Sequence, residues 1–463
     1  MTITIEGVEF PISDFGLAVE QEVRAELGAC RKRERYRFRR LQRAKGYLAR
    51  RSRSAEYLKS YDCRLVAMVE QAKELAPADR LPLSVYRTLA GSFSLFHPIL
   101  EPVSYWDKPK SSCNGYRRIY DFGPMNRAAQ HMVMRVISAF FRPRSYQYSV
   151  SGKGSPKAML AIKELIGAGY VHVLKLDVRD FFGSFSRDGL YKLLPLPTPV
   201  IDNVAMPGNL QPKHKKGGKK AGKNKPAANA DDVSLTHKEN TSSCASPPVL
   251  PQGSLHAPIL AEYVVSLMDI TMPEGVKIVI YVDDILILST SEDRLMQAKH
   301  ALLLAYEGSP AGDFNFEVSE ETLLFGVCFL GYHVQKLPSG KLIVRSSAKN
   351  ETTFKNKRKA LKSAITKQSK KGSAAVAQAI ANLYVYMRAW AEAFRAADYY
   401  QAVVEHSQKQ LVLLCLKHNV SPEVVKTLAG VSFPHQVRKI KVKDSYKWEI
   451  KIAAPDAAFF ALA

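Results

Sequence analysis

Asp283 and Asp284 stand where a chain does not ordinarily place two like charges. Val276-Lys277-Ile278-Val279-Ile280-Tyr281 precedes them and Ile285-Leu286-Ile287-Leu288 follows. Two β-rich runs bracketing Val282-Asp283-Asp284 predict a hairpin with both carboxylates at its tip. Adjacent carboxylates at a tight turn repel, and unless a cation neutralises them, one holds its proton to higher pH. A third, Asp177, ends the apolar run Val171-His172-Val173-Leu174-Lys175-Leu176, which reads as a buried strand. Carboxylates converging from two strands offer hard oxygen ligands suited to Mg²⁺, which binds through one or two carboxylates plus substrate phosphates. Two such ions about 3.5–4 Å apart stabilise the attacking and the leaving oxygen of an in-line phosphoryl displacement. Asp–Asp turns are common, so three aspartates at strand ends define no site until their surroundings are added.

Those surroundings are informative. Tyr281-Val282-Asp283-Asp284 with Ile285-Leu286-Ile287 resembles the Tyr-x-Asp-Asp motif of reverse transcriptases, and further motifs of that family follow its order. Leu176-Asp177-Val178-Arg179-Asp180-Phe181-Phe182 is similar to the first palm motif. Leu250-Pro251-Gln252-Gly253-Ser254 with Ala257-Pro258-Ile259-Leu260 is similar to the Pro-Gln-Gly motif and its helix. Phe329-Leu330-Gly331-Tyr332 resembles the primer-grip turn, and Tyr116 to Phe122 with Asn126 resembles the nucleotide-binding stretch of the fingers, Lys110 lying at the spacing of its triphosphate-binding lysine. The likeness extends from about Lys108 to Tyr400.

The resemblance implies an α+β, right-hand polymerase fold: fingers, a palm whose antiparallel sheet carries the Tyr-x-Asp-Asp hairpin, and a helical thumb. Residue by residue, it implies that Asp177, Asp283 and Asp284 are catalytic and hold two Mg²⁺, with the Val178 carbonyl as a further ligand and Mn²⁺ as a substitute ion. Lys110 and Arg117 would clamp the triphosphate of a dNTP, the arginine as a planar fork and the lysine as a point charge. Gln252 and Gly253 would lie against the incoming nucleotide, and Phe182 beneath its sugar, where a ring leaves no room for a 2′-hydroxyl. Its neighbour Phe181 is the better candidate for a purely core aromatic. Leu330, Gly331 and Tyr332 would form the primer grip. One departure stands out: the family's lysine after the Asp-Asp hairpin, proposed to protonate the leaving pyrophosphate, is absent from Asn315-Phe316-Glu317-Val318-Ser319-Glu320-Glu321-Thr322.

The elements that must position these groups can be read more coarsely. The segmentation is a helical, basic N-terminal extension over 1–104, fingers over 105–160, palm over 161–345, thumb over 346–420 and a C-terminal hairpin and tail over 421–463. Within the palm, Pro207 to Pro248 combines Lys, Gly, Pro, Asn and Ser with little apolar content, the mark of a flexible insertion. Ala374 to Leu414 has helical periodicity, with Leu383, Met387, Trp390, Phe394 and Tyr400 recurring along it. Lys349 to Lys371 is a further basic stretch.

Charge points to the partner. The 463 residues include 67 Lys+Arg and 43 Asp+Glu, a formal charge of +24, which favours a polyanion, most simply nucleic acid. Arg31 to Arg53 concentrates that charge, with Tyr36, Phe38, Leu41, Tyr47 and Leu48 interleaved, and predicts a basic helix. So dense a run of one sign repels itself unless something neutralises it, and Arg35, Arg37, Arg39 and Arg40 are accordingly expected to bind RNA. The basic residues are spread over several segments, so a membrane anchor is not expected. The start Met1-Thr2-Ile3-Thr4-Ile5-Glu6 lacks a signal peptide's basic and apolar regions. Six scattered cysteines without a Cys-x-x-Cys read as reduced thiols. Both point to the cytoplasm.

Ser145-Tyr146-Gln147-Tyr148 and Gly152-Lys153-Gly154-Ser155 with Lys157-Ala158 resemble the bacterial fingers segment of group II intron, retron and diversity-generating enzymes. Marks of the retron, diversity-generating and autonomous intron subfamilies are missing; Ser254-Leu255-His256-Ala257, for instance, lacks the expected Ser-Gln pair. Elimination leaves the stand-alone bacterial enzymes, many associated with defence against phage. The expectation is an RNA-directed DNA polymerase making cDNA from dNTPs on a dedicated noncoding RNA. Untemplated or protein-primed DNA synthesis is a second reading, and a non-catalytic RNA-binding protein a third. An RNA-dependent RNA polymerase shares the palm logic but is disfavoured by Phe182.

Overall fold

The computed structural model describes residues 1–109, 116–208, 210–215 and 249–430, and the backbone of 435–442 and 445–452. The described chain is a mixture of helices and sheets and divides into two units. One comprises Met1–Arg144, Val178–Ile270 and Leu302–Phe316; the other comprises Ser145–Asp177, Thr271–Ala301 and Glu317–Ala463. Numbering of elements follows the chain through both.

The first unit opens with an antiparallel pair, β1 (Thr2–Ile5) and β2 (Val8–Pro11), followed by α1 (Leu17–Arg43), α2 (Tyr47–Lys59), α3 (Tyr61–Lys73) and α4 (Leu83–Ser92). The single basic helix expected over 31–53 is thus two helices. Ala44 is extended and Gly46 has φ 76°, a left-handed conformation that glycine adopts at no steric cost. Val23, Leu27, Cys30 and Leu41 form the buried stripe of α1. Next come β3 (Val103–Pro109), β4 (Tyr116–Phe122) and α5 (Pro124–Phe140), then α7 (Arg187–Leu193), α8 (Thr198–Val200), β6 (Lys213–His214) and α9 (Ala257–Leu267).

β3 pairs antiparallel with β4 and parallel with β6. Within the expected flexible insertion, the described Lys213–Lys215 are therefore exposed chain held against β3. The Lys215 N–H donates to the Tyr105 carbonyl (2.8 Å), its ammonium meets Asp121 (3.1 Å), and the His214 ring stands edge-on to Tyr105 at 5.1 Å. Lys110 and residues 216–248 lie outside the described residues.

The second unit is built from α6 (Gly154–Gly167), β5 (His172–Arg179), β7 (Val276–Tyr281), β8 (Asp284–Ser289), α10 (Glu292–Glu307) and β9 (Asn315–Thr322). It continues with β10 (Val327–Phe329), β11 (Tyr332–Lys336), β12 (Leu342–Ser346), α11 (Ala348–Gln368), α12 (Ser373–Ala393), α13 (Tyr400–Lys417), α14 (Pro422–Ala429), β13 (His435–Val442) and β14 (Ser445–Ile452). The ends of β5, α10 and β9 run into the first unit's stretches.

The central sheet has the order β7-β8-β5-β9. Val173, Leu286 and Leu288 on one of its faces pack with Met159 and Ile162 of α6 and with Val327, Phe329 and Val334 of the β10-β11-β12 sheet. Each such side chain contributes about 1.5–3 kcal/mol on leaving water, so the strand ends rest on a stiff base. A second core joins α11 to α14 through Phe354, Ile380, Tyr384, Met387, Leu411, Cys415 and Val425.

The helical run expected over Ala374 to Leu414 breaks at Phe394–Tyr399. The break has a use. The Asp398 backbone and carboxylate both hydrogen-bond Val344 of β12 (2.9 and 2.8 Å), and the Tyr399 hydroxyl donates to Ser346 Oγ (2.6 Å). β13 and β14 form an antiparallel pair.

Candidate active site

In the second unit the register brings the three aspartates together. Tyr281 lies opposite Asp284 across β7 and β8, so Val282 and Asp283 form a two-residue turn. Asp177 lies opposite Asp284 across β5 and β8. Strand alternation puts directly opposed residues on one face, so Asp177, Asp284 and Tyr281 share a face. Val282 carries φ 58°, a conformation that a β-branched residue resists and that is held here by paired strands on either side. Asp177, Asp283 and Asp284 are each half-buried.

Electrostatics match that crowding. The Asp284 carboxyl is pushed up to about 6, first by burial and then by the negative charge of Asp283; Lys175 opposes the shift, and Asp177 adds to it. A half-buried carboxylate with two like neighbours is a position that a cation stabilises. Among the described residues no three His, Cys, Asp or Glu side chains gather into a ready-made metal cage. Mg²⁺ does not require one, because substrate phosphates and water complete its shell. The oxygen-only donor set fits that ion.

Lys175 is a neighbour that the motif comparison passed over. Its position two residues before Asp177, on the same strand face, was the available signal. β9, the segment lacking the expected lysine, forms the sheet edge beside β5; its Glu321 accepts the Cys328 N–H at 3.1 Å.

Leu330 and Gly331 form a second two-residue turn, with Phe329 opposite Tyr332. Both turn residues have positive φ, 50° and 80°. A Cβ on Gly331 would sit 2.5 Å from Asn350 Nδ2. The Gly331 carbonyl accepts from the Ser347 N–H (2.8 Å) and Asn350 Nδ2 (3.0 Å), so the turn is fixed to the start of α11. Tyr332 is fully buried, donates its hydroxyl to the Ala393 carbonyl (2.8 Å) and packs against Phe394.

The first unit carries the residues assigned to the nucleotide. The Gln252 carbonyl accepts the Tyr120 N–H at 2.8 Å. Gly253 has φ 104°, and a Cβ there would meet the Tyr120 carbonyl oxygen at 2.2 Å; only glycine lets this loop lie against β4. Gln252 Oε1 is buried with no hydrogen-bond partner among the described residues. After the loop, His256 is fully buried with its titration pushed down to about 4 by burial, so it stays neutral and donates from Nε2 to the Ala205 carbonyl (3.0 Å).

Arg117 is exposed on β4, opposite Lys108, and alternates away from the buried Tyr120 and Phe122. Phe181 is buried against Phe185 and Phe314, while Phe182 is half-buried with its ring edge-on to Phe181 at 5.5 Å. Val178 is buried on β5.

The four arginines expected to face RNA differ among themselves. Arg35 and Arg39 are exposed, but Arg37 pairs with Asp62 (2.8 Å) and Arg40 with Glu56. Arg31 and Arg33 are also paired, to Glu6 and Glu70 and to Asp62. Much of the charge that was expected to need an external polyanion is therefore neutralised from within. Asp62 and Glu56 follow too far down the chain for the local run to reveal them.

Comparison with known proteins bears on this geometry. Residues 108–306 match the family model described as reverse transcriptase (RNA-dependent DNA polymerase), a span of less than half the chain that contains all three aspartates, Arg117, Phe182, Gln252 and Gly253. The match supports a nucleic-acid polymerase with nucleotidyltransferase chemistry, and within that class a domain of the reverse transcriptase family. No curated protein matches the sequence. Among solved structures, a telomerase from Candida albicans in complex with a TWJ fragment of telomeric RNA aligns at 11% identity and TM-score 0.32, covering 72% of this chain and 64% of that one. The Sicinivirus 3Dpol RNA-dependent RNA polymerase aligns at 12% identity and TM-score 0.32, covering 75% and 71%. Likenesses at that TM-score are too distant to carry fold or function, and the chain spans less than two thirds of the telomerase's length.

Proposed function

We propose that this protein is an RNA-directed DNA polymerase with a right-hand fold, synthesising cDNA from dNTPs on an associated noncoding RNA. The observation that carries the reading is the carboxylate arrangement: Asp283 in a strained turn, Asp284 opposite Asp177, and Asp284 pushed up to about 6 by burial and by its neighbours. Asp177, Asp283 and Asp284, with the Val178 carbonyl, would hold two Mg²⁺ ions, with Mn²⁺ as a substitute. When bound, the ions supply charge neutralisation and Lewis-acid activation for in-line phosphoryl transfer.

The remaining roles belong to the chain. Arg117 would hold the triphosphate through its forked donors and Lys110 through its charge. Gln252 and Gly253 would lie against the incoming nucleotide, with Gly253 keeping their loop close to β4. The Phe182 ring would exclude a 2′-hydroxyl by collision. The pinned Leu330–Gly331 turn would grip the primer, and α11 to α14 would form the thumb. Elimination of the other bacterial subfamilies supports a role in defence against phage, and the scattered cysteines without a Cys-x-x-Cys support a cytoplasmic location.

The test uses protein purified with its native nucleic acid, given Mg²⁺ and labelled dNTPs or NTPs, with the bound RNA and the product both sequenced. The reading expects DNA complementary to one bound RNA, absent from the Asp283→Asn/Asp284→Asn variant. DNA matching no bound RNA would transfer the assignment to untemplated synthesis.

A further inference from the structure

The basic helix α1 is divided by the fold into inward, flanking and outward charge. At 100° per residue, Leu41 and the buried Glu34 point into the unit; Glu34 accepts from the Tyr57 hydroxyl (2.6 Å) and pairs with Arg135 (3.1 Å). On one flank, Arg33 and Arg37 share Asp62 and Arg40 takes Glu56; on the other, Arg31 takes Glu6 and Glu70. Opposite the buried side, Lys32, Arg35, Arg39 and Arg43 fall within one arc roughly 80° wide, with Tyr36 beside them, along about 16 Å of axis. All five are exposed, Tyr36 by 62%. The only acid between Gly28 and Gly46 is Glu34, which faces inward.

We propose that this outer stripe of Lys32, Arg35, Tyr36, Arg39 and Arg43 is a docking surface for the phosphate backbone of single-stranded RNA, with a base stacked on Tyr36. The proposal rests on the polymerase reading for RNA as the partner, and it replaces Arg37 and Arg40 among the RNA-binding residues with Lys32 and Arg43. Charge complementarity argues for it. The stripe is cationic, carries no carboxylate of its own, and its neighbouring carboxylates are already engaged by the flanking arginines. Those ion pairs hold the helix so that the outer cations need not be gathered when RNA arrives. Tyr36 is exposed, with the Arg40 guanidinium 5.8 Å from its ring centroid, and base–aromatic stacking tolerates any base. A membrane would need an apolar wedge beside the cations, whereas the turns of α1 before the stripe place Gln21, Ala25, Gly28 and Ala29 on that face, with one apolar residue, Leu17, at the helix start.

The experiment is titration of the 463-residue chain with a labelled single-stranded RNA over a series of salt concentrations. Wild type is compared with Lys32→Gln/Arg35→Gln/Arg39→Gln/Arg43→Gln, glutamine being a good helix former. The slope of log K against log salt should become shallower by about 0.7 per lost phosphate contact, close to 3 for all four. Arg35→Gln/Arg39→Gln should show about half that change, and Tyr36→Ala should weaken binding without altering the slope. Far-UV circular dichroism checks that the helices remain. Unchanged affinity and slope in the quadruple variant would overturn the proposal. So would retained RNA binding with lost binding to phosphatidylserine vesicles. Extension of a pre-annealed primer on an RNA template is measured alongside on wild type: if it is absent, the polymerase reading fails, whereas wild-type extension with unaltered RNA binding in the variant sinks the stripe alone.

Discussion

Two hairpin turns in the same unit are built on one plan and put to different use. Val282–Asp283 joins β7 to β8, and Leu330–Gly331 joins β10 to β11; each has two residues and a non-glycine with positive φ. The second is clamped from outside by Ser347 and Asn350 on the Gly331 carbonyl, with Tyr332 buried beneath it. The first rests on buried Ile278, Val279, Ile280, Ile285 and Leu286 and presents half-buried carboxylates beside Asp177. One turn stores its strain in a fixed packing contact. The other stores it where charges are crowded, the pattern of a site that gains stability from a ligand rather than from its own packing.

Substitutions separate the two. The largest effect is expected at the charged turn. Asp284→Asn should lower nucleotide incorporation on the order of 10³-fold or more, the loss of several kcal/mol of transition-state stabilisation, while melting without metal at neutral pH occurs at the same or a higher temperature. Gly331→Ala should do the reverse in kind: stability falls by about 1–3 kcal/mol in denaturant titration, because φ 80° and Asn350 both oppose a Cβ. A smaller loss, about 1 kcal/mol, is expected for Tyr332→Phe, which leaves the Ala393 carbonyl without its donor.

The charged turn should also declare itself in pH. The Asp284 carboxyl titrates near 3.8 in the unfolded chain and near 6 when folded, so between those values the folded state binds more protons. Metal-free stability should therefore fall as pH rises through that window and remain lower above it. Asp284→Asn should flatten the fall, and added Mg²⁺ should stabilise more above pH 6 than below. A pH–melting profile that rises across the window would contradict the carboxylate crowding. The smallest change is expected for Val282→Gly, which relieves the left-handed valine and should stabilise by at most about 1 kcal/mol, since glycine's own chain entropy offsets the relief.

The charged turn was legible in the sequence because two continuous apolar runs bracket two aspartates, a local pattern that nothing else in the chain imitates. The clamped turn was legible as a motif, but its clamp was not: Ser347 and Asn350 follow sixteen and nineteen residues after Gly331, without a pattern to link them. The break at Gly46 is visible in hindsight, as one glycine in a run of good helix formers. The flanking ion pairs of α1 were hidden altogether. Asp62 and Glu70 are ordinary residues of another helix, and only the packing of α3 against α1 makes them partners of Arg33, Arg37 and Arg31. Patterns with period two or 3.6 reveal which face is buried; which charge meets which depends on tertiary structure that periodicity does not encode.

The proposed function makes Asp177, Asp283 and Asp284 the catalytic centre of RNA-templated DNA synthesis. Its most direct test is incorporation of labelled dNTPs on a defined RNA template with an annealed DNA primer, measured with Mg²⁺ for wild type and for Asp177→Asn, Asp283→Asn and Asp284→Asn. This catalytic role predicts template-directed extension by wild type, its loss in each variant, and no decrease in the metal-free melting temperature of any of the three. Extension that persists in the variants would contradict it.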